Sequence, residues 1–248
     1  MNAFEPPQHD LLNEVYRCRE CADEGRSFVS EFTEARPGFF HKFPPLIGGT
    51  GKVEVLFVGY NPRRTDNLNI HNFAMAKFRN FCALSNNVDH NGNRYIGSSP
   101  SAPDHEPHYE LHDEIVQRVF GEPFENVAAV TEMYLCASED GQLLQTKNSP
   151  CAKRFLMRTL RIADPTYIVT FGVGLPRFFG RFVRGTRADV LHLPFPSKRS
   201  TPDKTMKTAL NWAVDSLIAL ENGQQPPVMN WTWPTNDPKL PQGIMRYL

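Results

Sequence analysis

Four cysteines stand where they can hold a metal. Cys18 and Cys21 form a C-x2-C pair, and Cys136 and Cys151 follow with fourteen residues between them. Cys136 ends a strand-like run and Cys151 opens a helix-like one, so the thiols come from three separate loops. Four thiolates suit a tetrahedral zinc ion or a [4Fe–4S] cluster, and spacing alone does not choose between them. The plain alternative is a set of unligated core cysteines, since free cysteine is among the most buried residue types. The fifth, Cys82, fits the core spacing of a helix. A second group lies at residues 53–63. Residues 53–58 are almost continuously apolar, the pattern of a parallel strand buried on both faces. The run breaks at Gly59, and Pro62 forbids further ladder pairing. Open α/β sheets bind ligands at the carboxyl ends of their central strands. Tyr60, Asn61 and Arg63 are thereby delivered to where a site would be, although an ordinary tight turn explains the same residues.

Alternating strands and helices must position these groups. Strands are predicted over 53–59, 127–135, 167–171 and 190–193. Helices are predicted over about 73–85, 109–120, 151–163 and 201–221, with another around Phe178, Phe179 and Phe182. The pattern gives a three-layer α/β/α sandwich with a central, mostly parallel four-stranded sheet. One domain over 11–221 is expected, followed at 222–248 by a Pro- and Asn-rich extension packed over its surface. Residues 86–108 form a long polar insertion, and loops of that length are usually functional or mobile. Its histidines, His90, His105 and His108, and His112 just beyond, are read as solvated rather than metal-binding.

Composition adds limits. The 248 residues carry 27 basic and 27 acidic side chains, so net charge neither favours nor excludes a nucleic-acid partner. No apolar run is long enough to cross a bilayer. The first residues lack the basic and apolar regions of a signal peptide, so a cytoplasmic location is expected, and the chain is read as a monomer. The basic helix with Lys153, Arg154, Arg158 and Arg161 suits phosphate contacts, but a solvated face is the plainer expectation.

Over roughly residues 11–220, these features in order resemble the uracil-DNA glycosylase superfamily, most closely its iron–sulfur (family 4-like) branch. The resemblance is carried by the C-x2-C, then a strand ending in Gly-x-x-Pro and a Phe before a helix. A strand ending in Cys follows, with a second Cys beyond it, and then a strand ending in Pro-Ser before a helix. It implies that Cys18, Cys21, Cys136 and Cys151 ligate a structural [4Fe–4S] cluster near the DNA-binding face, with zinc as the alternative. It also implies that Asn61 positions the attacking water, as in the Gly-x-Asn-Pro-Gly branches, and that Phe73 stacks on a flipped base. Pro196 and Ser197 match the loop that pinches the DNA backbone, and Lys198 and Arg199 suit its phosphates. Tyr60 stands where the iron–sulfur branch has an acidic residue, and two further positions depart from the pattern. Phe195 stands where the family has the histidine that steadies the departing base, and His192 is the neighbour that could partly replace it. Glu132 stands where an asparagine reads the uracil edge.

Glu132 is the most informative of these. A carboxylate only accepts hydrogen bonds, so it opposes the O4 acceptor of uracil and matches the N4 amino group of cytosine. Plain cytosine is everywhere in a cell's own DNA, so a modified cytosine of foreign DNA is the sensible target. Arg63, Arg64 and the insertion can contact its substituent. The expected function is therefore a DNA glycosylase acting on modified phage cytosine, such as glucosylated hydroxymethylcytosine. Uracil repair, a non-catalytic DNA-binding role and a metal-bearing redox or nucleotide protein are the alternatives.

Overall fold

The computed structural model describes residues 10–11, 14–15, 18, 46–47, 53–60, 107–135, 151–195, 203–235 and 237–247, with backbone alone at 46–47, 107–110 and 125. The helical pattern expected over 73–85, with Cys82, and most of the 86–108 insertion lie outside these residues. Among the described residues, the strands β1 (Leu46–Ile47), β2 (Val55–Gly59), β3 (Ala128–Glu132), β4 (Tyr167–Phe171) and β5 (Asp189–Leu193) form one sheet ordered β1-β3-β2-β4-β5. β3, β2, β4 and β5 run parallel, and β1 joins β3 antiparallel. The four-stranded parallel sheet is thus present, with a two-residue strand added at one edge.

The continuous apolar runs make this arrangement. Alternate residues of each strand point to opposite faces, and both faces are covered. Val55, Phe57, Val130, Val169 and Leu191 face a first core with the helices α1 (Pro107–Phe120) and α5 (Asp203–Glu221). Leu56, Val58, Ala129, Ile168 and Val190 face a second. That core is covered by a π-helical turn (Ala152–Leu156) running into α3 (Met157–Ala163), and by α4 (Pro176–Val183). Burying each large apolar side chain stabilises the fold by roughly 1.5–3 kcal/mol. The α3 helix ends at Asp164, whose φ of 38° is left-handed, a conformation that Asp tolerates better than most residues.

Three local features differ from expectation. The third helix opens with a π-helical turn instead of regular α-helix. The strand predicted over 127–135 is shorter, because a helical turn, α2 (Phe124–Val127), follows Pro123 and the chain bends after Glu132. His112 is not solvated. It lies on the inward face of α1 beside Ile115 and Val116, only 4 % exposed, and its ring stacks on Phe57 with centroids 4.3 Å apart. Helical period, and not the polar loop before it, decides where this side chain goes.

The C-terminal segment joins both faces. Trp231, Trp233 and Leu240 are buried in the first core. Met245 then pairs antiparallel with Val190 on the outer edge of β5, and Arg246 grips Asp189 through two hydrogen bonds. This covers part of an edge strand that would otherwise offer unpaired backbone groups to another chain.

Candidate functional site

Gly59 ends β2 and pairs in register with Glu132, which ends β3. A Cβ added to Gly59 would lie 2.0 Å from Glu132 Oε2 and 2.5 Å from Oε1. The carboxylate therefore sits directly over the Gly59 Cα, and a side chain there would have to displace it. Strand alternation turns Glu132 to the same side as Val130, toward α1. Aromatic rings line that side. His112 stacks on Phe57 and lies 4.9 Å from Phe171, and Phe124 stacks on Phe57 at 5.8 Å. An almost buried carboxylate, 8 % exposed, thus stands at the end of the sheet on the side of an aromatic floor.

Tyr60 follows on the opposite side. Its ring packs on Gly174, where an added Cβ would come within 3.0 Å of Cε2. The Tyr134 ring lies 5.2 Å away, and burial together with that neighbouring hydroxyl pushes the Tyr60 phenol above its ordinary pKa. Tyr60 is therefore a neutral hydrogen-bonding group at physiological pH. Phe195 lies two residues past β5, half-buried and packed against the first core. Its Cβ lies 3.8 Å from the Cβ position of Gly172, which turns the chain after β4 with a left-handed φ of +101°. Tyr60, Glu132 and Phe195 thus share the carboxyl edge of the parallel sheet. Asn61, Arg63, Phe73, Pro196, Ser197, Lys198 and Arg199 lie outside the described residues.

His192 does not join the group of Tyr60, Glu132 and Phe195. It points to the other face of the sheet, 2 % exposed, with its ring edge-on to Phe179. Nδ1 pairs with Thr170 Oγ1, and Nε2 pairs with the Tyr247 hydroxyl at 2.9 Å. Burial drives its pKa down to about 3, so the ring is neutral, donating through one nitrogen and accepting through the other. Alternation along β5 set this direction and was readable from the strand.

Two of the four cysteines, Cys18 and Cys151, lie at the second core. Leu11 and Val15, from a helical N-terminal segment, are buried there, and Cys18 packs against the same cluster. Glu14 bridges Arg154 and Arg158, holding this segment on the helix that Cys151 opens. Cys151 belongs to the same core, and its Sγ accepts a hydrogen bond from the Leu135 amide at 3.3 Å. Leu135 immediately precedes Cys136. Amide donors to sulfur are the kind of bond that tunes cluster thiolates, so this environment fits a thiolate-held metal group. Cys21 and Cys136 lie outside the described residues. No protein-family model matches the chain, and no curated protein is significantly similar to it.

Proposed function

We propose that this protein is a monofunctional DNA glycosylase that removes a modified cytosine from phage DNA in the cytoplasm. The observation that supports this is the Glu132 carboxylate seated over Gly59, at the carboxyl edge of a parallel sheet, where open α/β sheets bind ligands. The target base must leave the stack, at a cost of a few kcal/mol. Phe73 returns part of that cost by stacking. Glu132 accepts from the exocyclic amino group, which uracil lacks. Asn61 cannot act as a base, because an amide does not titrate, but it holds a water in line with the sugar carbon. The water oxygen bonds to that carbon and gives up a proton to solvent, the N-glycosidic bond breaks, and its electron pair leaves with the base, which takes up a proton from solvent in exchange. Cys18, Cys21, Cys136 and Cys151 would hold a [4Fe–4S] cluster, which when bound supplies a structural crosslink between the N-terminal segment and the sheet edge.

Phe195 favours a second reading, a DNA-binding protein without catalysis. An apolar ring there gives the departing base no hydrogen bond, and one such contact is worth about 3–4 kcal/mol in comparable sites. Asn61→Ala separates the two. Alkali-labile sites in a duplex carrying glucosylated hydroxymethylcytosine should vanish while DNA binding persists. Unchanged cleavage would remove Asn61 from the mechanism.

A further inference from the structure

The overall charge balance hides a separation between the two helical layers. The π-helical turn, α3 and α4 carry Lys153, Arg154, Arg158, Arg161, Arg177 and Arg181 and no acidic residue. Across the sheet, α1 carries three acidic residues and one basic, and α5 three acidic and two basic. The basic residues also form a pattern. Arg154, Arg158 and Arg161 follow at steps of four and three through the π-helical turn and α3, and Arg177 and Arg181 lie four apart on α4, with Arg184 just past its end. Both helices pack on the same side of the sheet and against one another.

Part of this charge is matched. Glu14 serves both Arg154 and Arg158, and Asp237 holds Arg177. Arg161, Arg181, Arg184 and Arg187 are exposed and have no acidic partner among the described residues. They lie toward the amino ends of the strands, away from the edge that carries Glu132. α4 changes the expectation for the basic helix, because two segments that pack against one another both carry cations and no acidic residue.

We infer that the α3–α4 face is a second nucleic-acid surface, which grips the phosphate backbone beyond the candidate site. Arginine forks match phosphate oxygens two at a time, and four of the five exposed cations of this face with no acidic partner among the described residues are arginine, Lys153 being the fifth. A membrane surface fits less well, because it calls for apolar side chains beside the cations. The one large hydrophobic residue exposed among the described residues is Val228, outside these helices.

The test is full-length protein in which Arg161, Arg181, Arg184 and Arg187 are all changed to Gln, bound to a long unmodified DNA duplex over a range of salt. An unchanged melting temperature checks the fold. The slope of log affinity against log salt should shrink by about 0.9 for each phosphate that is no longer neutralised, and affinity in low salt should fall about tenfold or more. Base release from a short oligonucleotide should stay unchanged. An unaltered slope would overturn the inference, as would anionic vesicles binding the wild type as tightly as DNA does. This surface and the catalytic reading fail separately: a protein that releases no base but keeps the arginine-dependent slope loses only the latter.

Discussion

Gly59→Ala probes the seat of the Glu132 carboxylate. Gly59 is not among the residues with positive φ, so alanine suits the backbone and only its methyl group matters. That methyl would lie 2.0 Å from Oε2, whereas carbon and oxygen normally approach to about 3.3 Å, so the carboxylate must retreat by roughly 1.3 Å. A hydrogen bond to a base amino group does not survive such a shift. Removing one good carboxylate–amino hydrogen bond costs about 1–3 kcal/mol, or roughly 5- to 150-fold in kcat/KM for the modified cytosine. Overpacking costs about 1–3 kcal/mol of stability, at the low end here because the atom displaced is the mobile end of a side chain. The assay is abasic-site formation by wild type, Gly59→Ala, Glu132→Ala and the double variant. The two changes should be strongly non-additive, since Glu132→Ala removes the clash. Full activity in Gly59→Ala, or an equal penalty with and without Glu132, would refute the role given to the carboxylate.

Three further outcomes follow from the packing. His192 has a folded pKa of about 3 against 6.5 in the open chain, so the unfolded state binds the extra proton between those values. Its contribution is complete above pH 6.5 and is lost as pH falls toward 3, at up to about 1.4 kcal/mol per pH unit. Urea midpoints at neutral and acid pH should therefore differ less in His192→Gln, and an undiminished difference would contradict the assignment. Trp231, 6 % exposed and edge-on to Trp212 and Trp233, should cost about 3–5 kcal/mol as Trp231→Ala in chemical denaturation. Trp231→Phe should cost much less, because the indole N–H is buried with no hydrogen-bond partner among the described residues. Cys151→Ser should lower bound iron and visible absorbance in freshly purified protein, and a fully brown variant would remove Cys151 from the ligand set.

The sheet was readable because its strands are short, continuous apolar runs, a signal that needs no tertiary information. The turn at Gly59 was readable as a break but not for its cause. The Glu132 carboxylate comes over Gly59 only through the register of β2 on β3, and register is not written in either strand alone. His112 shows the opposite case. The polar composition before it suggested solvent, while the spacing of Leu111, Ile115 and Val116 already placed it inward. The burial of Trp231 and Trp233 had no periodic signal to announce it, because the segment is neither helix nor regular strand. The opposite charges of the two helical layers were invisible in a net charge of zero and emerged once the topology put α3 and α4 side by side.

The most direct measurement of the central claim is base release from matched duplexes. The purified protein would be incubated with duplexes carrying uracil, cytosine, 5-hydroxymethylcytosine or glucosylated hydroxymethylcytosine, and with phage DNA, and abasic sites then counted. Release of a modified cytosine with uracil left in place is the predicted result. Release of uracil as fast as any cytosine derivative would contradict the role of Glu132, and no release from any duplex that the protein still binds would contradict the glycosylase itself.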